Sequence, residues 1–146
     1  MSELPAPEAV LPHRAPFLFV DRVLRCTADE AVAERCFPAS EPFFAGHFPG
    51  QPLVPGVILI EGLAQTLAYL ALRQVGGGTV LLTGVEGCRI RRPVRPDETV
   101  TYAIKVDKSR MGMVVATGAV TVGDDRVLTA TLKGFIERGS TPPKSG

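Results

Sequence analysis

The chain has 146 residues, 45% of them hydrophobic, with 16 basic against 15 acidic side chains and a formal net charge of +1. That is the length of one ordinary domain able to bury a real core. The near-balance of charge argues against general binding to nucleic acid or to a membrane surface.

The first residues, Met1 to Glu8, lack the basic region and apolar run of a secretory signal. Residues 1 to about 10 and 139–146 read as frayed ends. The expectation is a single domain over 1–146 with an ordered core at about 10–137. Asp21–Thr27 and Ala31–Phe37 read as two short strands around Ala28-Asp29-Glu30. Cys26 and Cys36 could face each other across that hairpin, though free thiols are the simpler reading. The three cysteines form no C-x-x-C pair, which suits a reducing cytoplasm. The two histidines have no second ligand at metal spacing, so neither a zinc nor an iron site is expected.

A proline- and glycine-rich loop runs from Glu41 to Pro55, and such a loop inside a small domain is more often functional than idle. Pro55 suits the first position of a helix that reaches about Val75 and stops at Gly76-Gly77-Gly78. The segment is apolar nearly all round, which predicts a buried core helix rather than a membrane span. Its polar exceptions, Glu61, Gln65, Tyr69 and Arg73, recur every four residues on one face. Beyond it the period falls to two. Strands are predicted at 79–90, 99–106, 112–122 and 126–137, the last two joined by the turn Gly123-Asp124-Asp125. One long apolar helix between groups of antiparallel strands predicts an α+β domain whose sheet wraps the helix.

Two residues stand out chemically. His47 lies in the aromatic-flanked loop, and Glu61 interrupts the apolar run fourteen positions later. A neutral imidazole accepts a proton near neutral pH. A carboxyl among Ile60 and Leu63 is disfavoured in its charged form, so it is a candidate acid. Gln65, one turn on, is placed to orient that carboxyl. Gly56, at the helix start, offers a backbone N–H where the helix dipole favours a negative oxygen. Phe44, Phe48 and Val57 are the expected pocket residues. Taken singly, His47 could be a solvated loop histidine and Glu61 half of a buried ion pair with an arginine. His13 reads as a structural turn residue, and Tyr69 and Arg73 as interface or helix-end residues. Arg89, Arg91, Arg92 and Arg95 form either a solvated rim or a dock for an acidic partner.

Three blocks carry a resemblance to a known family. They are Leu11-Pro-His-Arg-Ala-Pro-Phe-Leu-Phe-Val-Asp-Arg-Val23, the continuous segment Glu41 to Gln65, and Arg91-Arg-Pro-Val-Arg-Pro-Asp97. In order and spacing they resemble the 3-hydroxyacyl-[acyl-carrier-protein] dehydratases of the FabZ type. The resemblance implies a hot-dog fold, an antiparallel sheet curled round one long helix. It implies a cofactor-free, cytoplasmic hydro-lyase acting on (3R)-hydroxyacyl chains held by acyl carrier protein, with His47 and Glu61 as the catalytic pair. It further implies a homodimer in which the two meet across the interface, and assembly as a hexamer of three dimers. It tips the arginines toward docking of the carrier protein. Glu61 stands where the dehydratase–isomerase branch usually has aspartate, which favours a plain dehydratase. Gly62 stands where alanine is common, Ile90 where phenylalanine is common, and Arg95-Pro-Asp-Glu where valine-proline-glycine-aspartate is usual. The rivals are a hot-dog thioesterase and a non-catalytic acyl-binding subunit of the same fold.

Overall fold

The computed structural model describes residues 4–139. A short helix α1 (Pro7–Val10) leads into β1 (Arg22–Cys26) and β2 (Glu30–Cys36). The long helix α2 (Gly56–Val75) follows, then β3 (Gly78–Ile90), β4 (Thr99–Arg110), β5 (Met113–Val122) and β6 (Asp125–Arg138). The strands form one antiparallel sheet in the spatial order β1-β2-β4-β5-β6-β3. Its inner face is set by the period of two: Val100, Tyr102 and Ile104 on β4 and Val114, Ala116 and Val120 on β5 are buried. That face closes on Leu59, Leu63, Leu67 and Leu72 of α2, all almost fully buried. The result is the expected α+β hot-dog arrangement.

Helix α2 is long and apolar enough to cross a membrane by composition, yet 61% of its apolar window is buried inside the fold. It is the core helix. It ends at Gly76, which adopts φ 81° and sends its N–H to the Leu72 carbonyl. That left-handed conformation is open to glycine and costly for a side chain with a β-carbon.

Three local readings need correction. Residues 4–10 are docked rather than frayed, because Leu4 packs on the core, Pro7 is buried and the Tyr69 hydroxyl donates to the Pro5 carbonyl at 2.7 Å. Of the expected tail at 139–146, residues 140–146 lie outside the described residues. Pro55 is not the first helical residue but the one before it, with ψ 134°, and its carbonyl accepts from Ile58. The Val54 N–H is held by the Val94 carbonyl, which keeps the chain extended into the helix start. Cys26 and Cys36 do not face each other. The register sets Cys26 opposite Ala31, whereas the Cys36 N–H binds Asp21 at the far end of the hairpin. All three cysteines are free, and burial pushes the Cys26 thiol up.

Gly62 marks the closest approach of helix and sheet. A β-carbon there would collide with the Tyr102 ring and hydroxyl, which stand directly over it from β4. Burial holds that hydroxyl in its neutral form, far above the usual tyrosine range. Gly62→Ala is therefore expected to destabilise the protein by about 1–3 kcal/mol through overpacking. In a Tyr102→Leu background the same substitution should cost measurably less. A double-mutant cycle of thermal unfolding checks this, and equal costs in both backgrounds would refute the interlock.

Candidate active site

The polar row on α2 points toward the N-terminal arm. Gln65 is fully buried, and its side-chain carbonyl accepts from the Phe19 N–H at 2.8 Å. Its amide donates to the Phe17 carbonyl at 3.1 Å and to Oε2 of Glu61 at 3.0 Å. Glu61 is thus held one helical turn before Gln65, its side chain 23% exposed. His13 Nε2 approaches the same Oε2 at 3.7 Å. The contact joins residues far apart in sequence, and nothing in the local pattern Leu-Pro-His-Arg-Ala-Pro points to it. The usable signal is only that His13 belongs to a block that also supplies Phe17 and Phe19.

His47 is held differently. Its loop is tied by paired bonds between Phe48 and Gln51 and by the Leu53 N–H to the His47 carbonyl at 2.7 Å. The imidazole Nδ1 lies 3.1 Å from the Leu53 carbonyl oxygen. A carbonyl can only accept, so Nδ1 carries the hydrogen and Nε2 keeps its lone pair in the neutral ring. Phe48 stacks on the imidazole with centroids 4.1 Å apart. The Phe48 ring thus steadies the imidazole plane, while the Leu53 carbonyl fixes its tautomer.

His47 opens onto a cavity of about 340 Å³ with Gly56, Leu59, Ile90, Arg91 and Val94 among its walls. Gly56 is the first residue of α2, so its N–H has no partner within the helix. Ile90 comes so close that a β-carbon at Gly56 would lie 2.7 Å from its Cδ1. A slightly larger cavity, about 370 Å³, lies at the other end of α2 between Gln74, Met111 and Arg138. It holds neither His47 nor Glu61, so the chemistry favours the first.

The structure gathers His47 with Gly56, and Glu61 with Gln65 and His13, but among the described residues no bond or ion pair joins the two groups. Phe44, Phe48 and Val57 do not line the His47 cavity. Phe44 is buried against Phe43 in the core, while Phe48 and Val57 are 51% and 72% exposed. The four arginines also separate. Arg92 grips Glu98 through both terminal nitrogens at 3.1 and 2.9 Å, and holds that carboxyl below the usual glutamate range. Its Nε lies 3.6 Å from Asp125. Arg92 therefore braces the loop before β4 rather than standing free. Arg89, Arg91 and Arg95 are exposed.

Comparison with known proteins follows the same outline. A family model described as a FabA-like domain matches residues 11–131. A 3-hydroxyacyl-[acyl-carrier-protein] dehydratase FabZ of Thermoanaerobacter sp. (strain X514) is 40% identical over 126 residues, covering 84% of this chain and 89% of the relative. The protein of that name from Roseiflexus castenholzii is 43% identical over 117 residues, covering 78% and 82%. Among solved structures, the dehydratase heterocomplex ApeI:P from Xenorhabdus doucetiae superposes with a TM-score of 0.82 at 14% identity, over 93% of both chains. A hypothetical thioesterase with coenzyme A from Streptococcus pneumoniae superposes at 0.63 with 13% identity, over 81% of this chain and 88% of that one. At those identities the two structures speak to the fold alone.

Gln65→Leu is expected to leave the Phe19 N–H and Phe17 carbonyl without partners and to cost about 1–3 kcal/mol per orphaned group. The measurement is chemical denaturation. Unchanged stability would show that the arm is held by other contacts.

Proposed function

The chain belongs to the FabA-like domain family, and on that premise we propose that it is a hydro-lyase of fatty-acid biosynthesis. It removes water from a (3R)-hydroxyacyl chain on acyl carrier protein and leaves the trans-2-enoyl chain. The observation that carries this reading is the cavity in which His47, with its Nε2 lone pair free, lies beside the helix start at Gly56. A base and a backbone N–H donor on one cavity are what proton abstraction next to a thioester carbonyl requires.

The steps follow from the groups. Nε2 of His47 takes the proton from the carbon next to the carbonyl. The thioester oxygen gains negative charge and is received by the Gly56 N–H. The β-carbon–oxygen bond breaks as Glu61 gives its proton to the departing hydroxyl, and water leaves. The proton on His47 returns to the Glu61 carboxylate through solvent before the next turnover. All of this uses side chains and backbone of the protein alone.

In this reading His47 of one chain works with Glu61 of a second, because the two groups stand apart within a single chain. The sheet offers a place for the second copy. Among the described residues strand β3 pairs only with β6, and its Leu81, Leu82 and Val85 are exposed. An unpaired, apolar edge thirteen residues long invites antiparallel pairing with its own copy about a two-fold axis. Three free cysteines suit a cytoplasmic setting.

Purified protein given a 3-hydroxyacyl thioester should develop the ultraviolet absorbance of an enoyl thioester. Release of free thiol instead would mean hydrolysis and would defeat the dehydratase reading. His47→Ala and Glu61→Gln should each lose activity by at least about a hundredfold. Random re-assembly of the two inactive variants should restore about a quarter of wild-type activity, since half the dimers would be mixed and each would hold one intact site. No recovery on mixing would argue that each site lies within one chain.

Arg89, Arg91 and Arg95 are the exposed cations that would meet the acidic carrier protein, and Arg91, which also lines the His47 cavity, would meet the phosphopantetheine phosphate. Arg91→Ala should raise KM for a carrier-bound substrate several-fold and leave KM for a short thioester mimic nearly unchanged. Equal effects on both substrates would remove Arg91 from the dock.

A further inference from the structure

We propose that His13 is a positioning residue for Glu61, a third side chain of the dehydration site; the proposal rests on the dehydratase reading above. His13 Nε2 stands 3.7 Å from Oε2 of Glu61, the oxygen that Gln65 already binds at 3.0 Å. The other ring nitrogen of His13, Nδ1, is buried and has no hydrogen-bond partner among the described residues.

That pattern assigns the tautomer. A buried N–H without an acceptor is rarer and costlier than a buried acceptor left short of a donor. The hydrogen of the neutral ring therefore sits on Nε2, facing the carboxyl. Two N–H groups, one amide and one imidazole, then converge on a single oxygen. Neither can accept a proton there. The acidic hydrogen of Glu61 is accordingly carried on Oε1, and Oε1 is the atom that delivers it to the departing hydroxyl. When the proton has left, the carboxylate is met by two donors already in place, and charge-assisted hydrogen bonds are the stronger kind. The 3.7 Å separation is long for such a bond. Catalytic hydrogen bonds in unliganded sites commonly are, and they shorten once substrate is bound.

The arm is built to hold the imidazole in place. Arg14 Nη1 donates to the Leu11 carbonyl at 2.8 Å and to the His13 carbonyl at 2.6 Å, which fixes the backbone on both sides of the ring. Leu11 and Phe19 anchor the segment in the core at 2% and 3% exposure. Phe17 and Phe19 supply the two backbone groups that lock Gln65. One stretch of nine residues, 11–19, thus delivers the imidazole and also steadies the amide that shares its target.

The experiment compares His13→Gln, which keeps a donor, with His13→Met, which keeps the bulk without one, in the full chain. The methionine variant should lose kcat by about tenfold or more while KM for the 3-hydroxyacyl thioester changes less than about twofold. The glutamine variant should recover most of the loss. Where the methionine variant fails to fold, His13→Ala takes its place, with size-exclusion and melting curves as the check. Wild-type turnover with kcat unchanged in the methionine variant overturns this proposal and leaves the dehydratase reading standing. Equal loss in both variants, or loss seen only in KM or in melting temperature, also overturns it. A wild type without turnover on any acyl length overturns the dehydratase reading, and this one with it.

Discussion

Gln65 makes three hydrogen bonds in one buried place, spending both of its N–H groups and its carbonyl oxygen. Its oxygen accepts from Phe19, and its two N–H groups go to Phe17 and to Glu61. Such a group is costly when any partner is missing, because burial removes water as a substitute. The N-terminal arm can therefore dock on α2 in only one register, and Glu61 can point in only one direction. The fold and the candidate chemistry share this constraint. The same arm that completes the core by burying Leu11, Phe19 and Val20 also builds the surroundings of the carboxyl.

The helix divides the site by its own geometry. Gly56 and Glu61 are five residues apart on α2, which separates them by about 7.5 Å along the axis and about 140° around it. Its first turn faces His47 and the cavity. Its second turn faces the arm. In the proposed reaction each chain thus carries two half-sites, His47 with Gly56 and Glu61 with its supports. Their separation is what makes the two-chain reading physically economical. A base and an acid held on different sides of a rigid helix need not move if a second copy brings the complementary half.

Local periodicity places five of the six strands to within a residue or two and the helix almost to its ends, whereas β4 runs four residues past its expected end at 106. Those elements are written in local periodicity: the alternation of Val100, Tyr102 and Ile104, and the apolar run closed by Gly76. Gln65 was readable as the partner of Glu61 because one helical turn separates them. His13 was not readable, because its contact with Glu61 is made only when the arm folds back across the helix. That Arg92, expected to form a dock with Arg89, Arg91 and Arg95, is bound to Glu98 was unreadable for a similar reason. Its commitment to Glu98 depends on a loop bend, and nothing in a run of arginines shows which of them will be bound internally. The docking of residues 4–10 was hidden because Tyr69, whose hydroxyl reaches Pro5, looked like an interface residue from its place in the polar row.

Gly62 gives the departures from the family pattern a physical meaning. The resemblance leads to the expectation of alanine at that position, yet here Tyr102 fills the space its methyl group would need. Neither residue is interpretable alone. A glycine in mid-helix costs about 1 kcal/mol against alanine, and the tyrosine hydroxyl has no partner among the described residues. Together they let β4 approach α2 closely and key the rotation of the helix against the sheet. Glu61 is the neighbouring residue, so that rotation also sets where the carboxyl emerges. Two apparently unfavourable choices therefore act as one steric device that aims the Glu61 carboxyl toward the arm carrying His13.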